Sequence, residues 1–186
     1  MQRRSALKLL STGILPGIGK ARVDLVKGQL FQIANTPATY RLQFLNPAQN
    51  ELVVALTETI IPADSHSGGA KEANVNLFVD VMLANSDRTI QTDWTKGLSA
   101  FDAEAQLRFG APFARVDSGR QQEIMTFAAK NEANPSTGIE RFFATLKTMT
   151  LNGYYTSPTG LHRDLQYIGN TALKNYNGCT HPEHQA

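Results

Sequence analysis

A single cysteine, Cys179, is all the thiol the chain has, so no internal disulfide can staple it. No C-x-x-C-H is present, which excludes covalently attached haem, and no G-x-G-x-x-G follows a strand pattern, which excludes a dinucleotide fold of its own. A P-loop, a zinc-protease motif and a nucleophile elbow are missing too. These absences argue against a self-sufficient redox enzyme. No segment approaches eighteen consecutive apolar residues, so no membrane span is expected. Charge of one sign is also lacking. The formal net charge is +2, and five basic residues with no acid fall within residues 1–22, which leaves −3 for the remainder. A chain with no basic patch gives nucleic acid nothing to bind. No repeat period or low-complexity block divides the sequence. Its 186 residues suit one domain that buries a core without staples.

What is present begins at the N-terminus. Arg3 and Arg4 precede Ser5-Ala6-Leu7-Lys8, and Leu9 to Ile18 then runs apolar with no acid. A short basic region before 7–15 apolar residues is the pattern of an export signal. With its paired arginines, and with Leu7 and Lys8 behind them, it looks like a twin-arginine signal, an address for proteins exported already folded. An amphipathic anchor helix shares this composition. The ten-residue run holds Gly13, Pro16 and Gly17 and is too short to cross a bilayer. The signal is placed at residues 1–22, with cleavage somewhere in 18–35. In an oxidising compartment the odd thiol of Cys179 points to an intermolecular bond or a reactive group, against the plain alternative of an idle free thiol.

Residues 23–45 read as an extended segment, because Tyr40, Leu42 and Phe44 alternate with Arg41 and Gln43. One such piece builds no sheet, so it is expected to lie on a helical body or on a partner. From Asn46 the pattern turns helical. Asn46 suits a cap, Pro47 the first helical position and Gln49 the capping-box position. Leu52, Val53, Leu56 and Ile60 share one face, and Pro62 ends the helix. A loop from Ala63 to Asn74 leads to an apolar helix, Val75 to Leu83. Ser86 is the expected cap of a third helix, with a stripe of Ile90, Trp94, Leu98, Phe101 and Ala105, stopped by Gly110 and Pro112. Asp117 or Ser118 opens a fourth, with Ile124, Met125, Phe127 and Ala128 facing inwards. Thr137 opens a fifth that buries Ile139, Phe142, Phe143, Leu146 and Met149. From Gly153 onwards Gly, Tyr, Asn and Pro suggest irregular structure. The expectation is an all-α single domain over 46–186, of about five helices with an irregular C-terminal segment.

Each chemical candidate has a plain competitor. Cys179, His181 and His184 have ligand types that hold metals, but only three ligands lie close together in a terminal segment. Asp64 and His66 can form an acid–base pair, although solvated loops often carry such residues. Trp94 at helical spacing is core or a contact point on a partner. Tyr154 and Tyr155 have hydroxyls that can meet a substrate, yet such aromatics more often pack against protein, so an interface is expected. Catalytic, cofactor and metal residues are therefore assigned to none. A small periplasmic enzyme or metal protein using the Asp64/His66 loop or the C-terminal trio is the alternative.

Three stretches carry a family likeness. Leu56-Thr57-Glu58-Thr59-Ile60-Ile61-Pro62 with Gly69-Ala70-Lys71-Glu72-Ala73 resembles the first signature of the gluconate 2-dehydrogenase subunit 3 family. Phe142-Phe143, Leu151 and Gly153-Tyr154-Tyr155-Thr156-Ser157 are similar to its second. Tyr167-Ile168-Gly169-Asn170 with Tyr176 and Gly178-Cys179 completes the pattern. The resemblance implies a small, helical, cofactor-free subunit of a periplasmic sugar dehydrogenase, gluconate 2-dehydrogenase or glucoside 3-dehydrogenase in type. It implies a large FAD-binding partner of the glucose–methanol–choline type, with a cytochrome c subunit whose haem takes the electrons onward. It further implies that the small subunit carries the twin-arginine signal for the assembly, which is membrane-associated. Interface residues expected on this basis are Trp94, Tyr154, Tyr155, Tyr167 and Tyr176, with Cys179 as an intersubunit disulfide.

Overall fold

The computed structural model describes residues 20–35 and 37–169. Arg3, Arg4, Leu7 and Lys8 of the expected signal, and Tyr176, Cys179, His181 and His184, lie outside them. The described residues form six α-helices and no strand: α1 Lys20–Asn35, α2 Pro47–Ile60, α3 Val75–Ala84, α4 Arg88–Phe109, α5 Ser118–Ala129 and α6 Gly138–Tyr155. Short 3-10 turns at Pro37–Thr39 and Phe113–Arg115 and a π-helical turn at Thr159–Asp164 complete the elements among the described residues.

Local chemistry sets several helix ends. At α2, Asn46 accepts from the Gln49 amide at 2.9 Å while the Gln49 side chain accepts from the Asn46 amide at 3.1 Å. This closes a capping box ahead of Pro47. Thr137 and Glu140 repeat the device at α6. Asp117 accepts from the Arg120 amide at 3.0 Å to cap α5. Gly110, at φ 72°, ends α4 in the left-handed region that favours glycine.

Helix α6 lies at the centre, packed on α2, α3, α4 and α5. Its Phe142 ring is wedged against α4, edge-on to Trp94 with centroids 5.1 Å apart and at 6.0 Å from Phe101. Gly97 makes that approach possible, since a Cβ there would lie 2.1 Å from the ring. Val53, Leu56, Val75, Val79, Leu83, Leu98, Ile124 and Leu146 fill the rest of the interior. Full burial of one such side chain is worth about 1.5–3 kcal/mol.

The expected extended segment is corrected. Residues 23–35 belong to α1, whose Val26, Leu30 and Ile33 recur at helical spacing and turn onto the core. Only the stretch beyond Thr39 is irregular. Ser86 does not cap α4. Asp87 holds that position, and the Ser86 hydroxyl donates back to the Met82 carbonyl at 2.6 Å. Phe127 is half-exposed rather than inward-facing, its ring covered by the Arg108 guanidinium 4.3 Å from the centroid. Gly153 to Tyr155 are not irregular. They are the last turn of α6, with Gly153 packed closely on Phe78 and Val75.

Candidate functional site

The end of α2, the loop Ala63 to Asn74 and the end of α6 meet at one junction. Glu58 organises the loop: its carboxylate accepts the Ala63 amide at 3.1 Å and the Lys71 amide at 2.7 Å, tying both loop ends to the last turn of α2. Gly69 lies against that carboxylate so closely that a Cβ would meet it at 2.4 Å. Glycine is required by space here. Within the loop, Asp64 Oδ1 accepts the amides of His66 at 2.7 Å and Ser67 at 2.8 Å. Those donors, Ser67 first, hold the Asp64 carboxyl below its ordinary range.

Tyr154 reaches this loop from α6. Its hydroxyl donates to the Gly68 carbonyl at 2.7 Å and lies 2.9 Å from the Ser67 hydroxyl, which therefore donates to it. Burial raises its pKa, and that of the Tyr155 phenol, which is also raised by Asp164. The Ser157 hydroxyl donates to the Tyr154 carbonyl at 2.6 Å and accepts the Gly160 amide at 3.1 Å, which turns the chain into Thr159–Asp164. Gly160 fits there because a Cβ would strike the Tyr154 carbonyl.

The turn then presents a knuckle. Leu165, Tyr167 and Ile168 are 55%, 41% and 87% exposed. The backbone of Leu165 and Tyr167 is nonetheless tied on several sides. The Leu165 amide donates to Gly160 at 3.0 Å and the Tyr167 amide to Leu161 at 3.0 Å. A ring N–H of His162 donates to the Tyr167 carbonyl at 3.0 Å, and one of His66 to the Asp164 carbonyl at 3.4 Å. Arg163 pairs with Glu72 across the loop. Gln166 at φ 50° adopts the left-handed region, a conformation held only where neighbours over-determine it.

The expected site residues divide. Trp94, read as core or as a contact point on a partner, and Tyr154, expected at an interface, are each 1% exposed and serve this chain's own core. Tyr155 is half-buried, edge-on to Tyr154 at 5.1 Å, and Tyr167 stays at the surface. Asp64 and His66 are neighbours, but the aspartate binds backbone amides and the imidazole binds Asp164, so they form no dyad. Among the described residues no group of three or more His, Cys, Asp or Glu is placed to hold a metal. Sequence reasoning missed Glu58, Ser67 and the exposed pair Leu165 and Ile168. The signal for the pair was two large apolar residues flanking Tyr167 in a polar segment.

Two of the stretches with family likeness, Leu56 to Ala73 and Gly153 to Ser157, meet at the junction, and the comparison agrees with the likeness. The profile described as gluconate 2-dehydrogenase subunit 3 matches residues 47–170. The chain belongs to the gluconate 2-dehydrogenase subunit 3 family. The match starts at the first residue of α2 and takes in the whole junction and knuckle, so α1 lies outside the family domain. Neither a curated protein nor a solved structure matches the chain. The family name makes it a subunit of a dehydrogenase complex. No described helix is long and apolar enough to cross a membrane.

Proposed function

We propose that this chain is a non-catalytic accessory subunit of a periplasmic FAD-dependent sugar dehydrogenase of gluconate 2-dehydrogenase or glucoside 3-dehydrogenase type. In this reading the flavin belongs to a large glucose–methanol–choline-type subunit and the haem to a cytochrome c subunit. The small subunit docks on the flavoprotein, supports its maturation and carries it out on the twin-arginine signal at Arg3 and Arg4.

The observation that carries the reading is the family match over residues 47–170, within which the junction holds an exposed apolar knuckle in fixed shape. A pre-organised apolar projection loses little conformational entropy on binding, which suits an interface anchor. The test is expression of the flavoprotein with and without this chain. Without it, the large subunit is expected to remain cytoplasmic or inactive. Active flavoprotein reaching the periplasm alone would end the escort role. Cys179, as the lone thiol of an exported chain, is expected to give a covalent pair on non-reducing electrophoresis, and separate bands would rule that bond out.

A further inference from the structure

Asp80 sits in the apolar run of α3, between Val79 and Val81, and is fully buried. A buried carboxylate needs several donors to replace its water. Asp80 takes four: the Tyr40 hydroxyl at 2.7 Å and the Gln43 amide at 2.7 Å on one oxygen, the Phe44 amide at 2.9 Å and the Leu45 amide at 2.7 Å on the other. All four come from the short stretch that joins α1 to α2.

Beyond that stretch α1 lies on α3, its main helix contact. Val26 and Ile33 are buried with Leu30 half-buried, while Leu25 and Phe31 on other faces stay exposed. Asn85, the C-cap of α3, donates to Gln29 at 3.1 Å. Gly28, mid-helix with nothing within 4 Å of a Cβ, weakens α1 as an independent helix. The family domain begins at residue 47, after this whole unit.

We propose that residues 20–45 form a strap that opens and closes on α3 as one unit, with the Asp80 carboxylate as its latch. Three successive amides and a phenol share one acceptor group, so a shift in register loses them together. Opening uncovers the carboxylate to water in the same movement that removes its donors. The open state is therefore not left with a dry charge, and the step is reversible. The strap does not depend on the subunit's role in export.

Native-state hydrogen exchange of the full chain across a urea series tests it. Amides of residues 20–45 are expected to exchange at least tenfold faster than those of α4 and α6, through an opening with a weaker urea dependence. In Asp80→Asn an acceptor oxygen becomes a donor facing donors, and strap exchange should rise at least another tenfold while α4 and α6 keep wild-type protection. Tyr40→Phe removes one donor and should give a smaller rise in the same segment. If Asp80→Asn does not fold, the wild-type series and Tyr40→Phe decide. Strap and body exchanging through one shared opening would overturn the proposal. A separate opening unchanged by either variant would overturn Asp80 as the latch.

Discussion

Three residues are intolerant of change, each for a different reason. Phe142 occupies the hollow that Gly97 leaves in α4, so Gly97→Ala places a methyl inside the ring's contact distance. Overpacking of this kind costs about 1–3 kcal/mol, read as a lowered urea midpoint; an unchanged midpoint would show that the ring has room to move. Tyr154→Phe strands the Gly68 carbonyl and the Ser67 hydroxyl in a buried site. The expected loss is about 1–3 kcal/mol by the same measurement. Glu140 is a case of charge. Its carboxylate accepts from the amides of Ser136 and Thr137 and from the side chains of Ser136 and Asn131. Those amides, Thr137 first, bring its pKa from 4.5 to about 2. Above pH 4.5 both folded and unfolded chains are ionised and the stabilisation is whole. Between 4.5 and about 2 only the unfolded chain takes up the proton, so the stabilisation drains away as the pH falls. Glu140→Gln should therefore melt lower than wild type at neutral pH, with the two melting curves converging on acidification. A constant gap would contradict the assignment.

At the scale of the element, caps were legible because capping is decided within four residues of sequence. Asn46, Pro47 and Gln49 announce α2, and Thr137 with Glu140 announces α6. Asp117→Ala should cost about 1 kcal/mol in the same denaturation measurement, with the loss of protection concentrated at the start of α5. Helix α1 was not legible because its three inward residues, Val26, Leu30 and Ile33, are interspersed with Gly28, Gln29, Gln32 and the outward Phe31, while Tyr40 to Phe44 alternate as a strand does. That alternation is kept in the burial, with Tyr40, Leu42 and Phe44 half-buried and Arg41 and Gln43 exposed, while the backbone amides of Gln43 to Leu45 turn to Asp80. A lone acid inside an apolar helix was the available signal for it. Phe127 and Tyr154 show the limit of periodicity. Spacing says which face a side chain lies on, while Arg108 over one ring and the loop over the other decide what covers it.

On the scale of the whole molecule, the interior takes up most of the large aromatic side chains and leaves a few apolar ones exposed. Trp94, Phe101, Phe113 and Tyr154 are consumed by the interior, which leaves Leu165, Tyr167 and Ile168 as a contiguous apolar projection at the end of the family domain. A lasting interface buries about 1,200–2,000 Å² in total, more than three side chains supply. Under the proposed docking role the knuckle is the anchor of a larger face, with its neighbours excluding water around it. That division yields a specific expectation. Replacing all three with serine alters residues outside the core, so the melting temperature should stay within a few degrees of wild type. Recovery of the flavoprotein with the tagged subunit should fall at least tenfold, about 1.4 kcal/mol or more of binding. Equal loss of folding and recovery would make the knuckle part of the scaffold. Full recovery with a stable fold would move the docking face elsewhere on the molecule, and the exposed Phe31 of α1 and Leu107 of α4 would be the next residues to exchange.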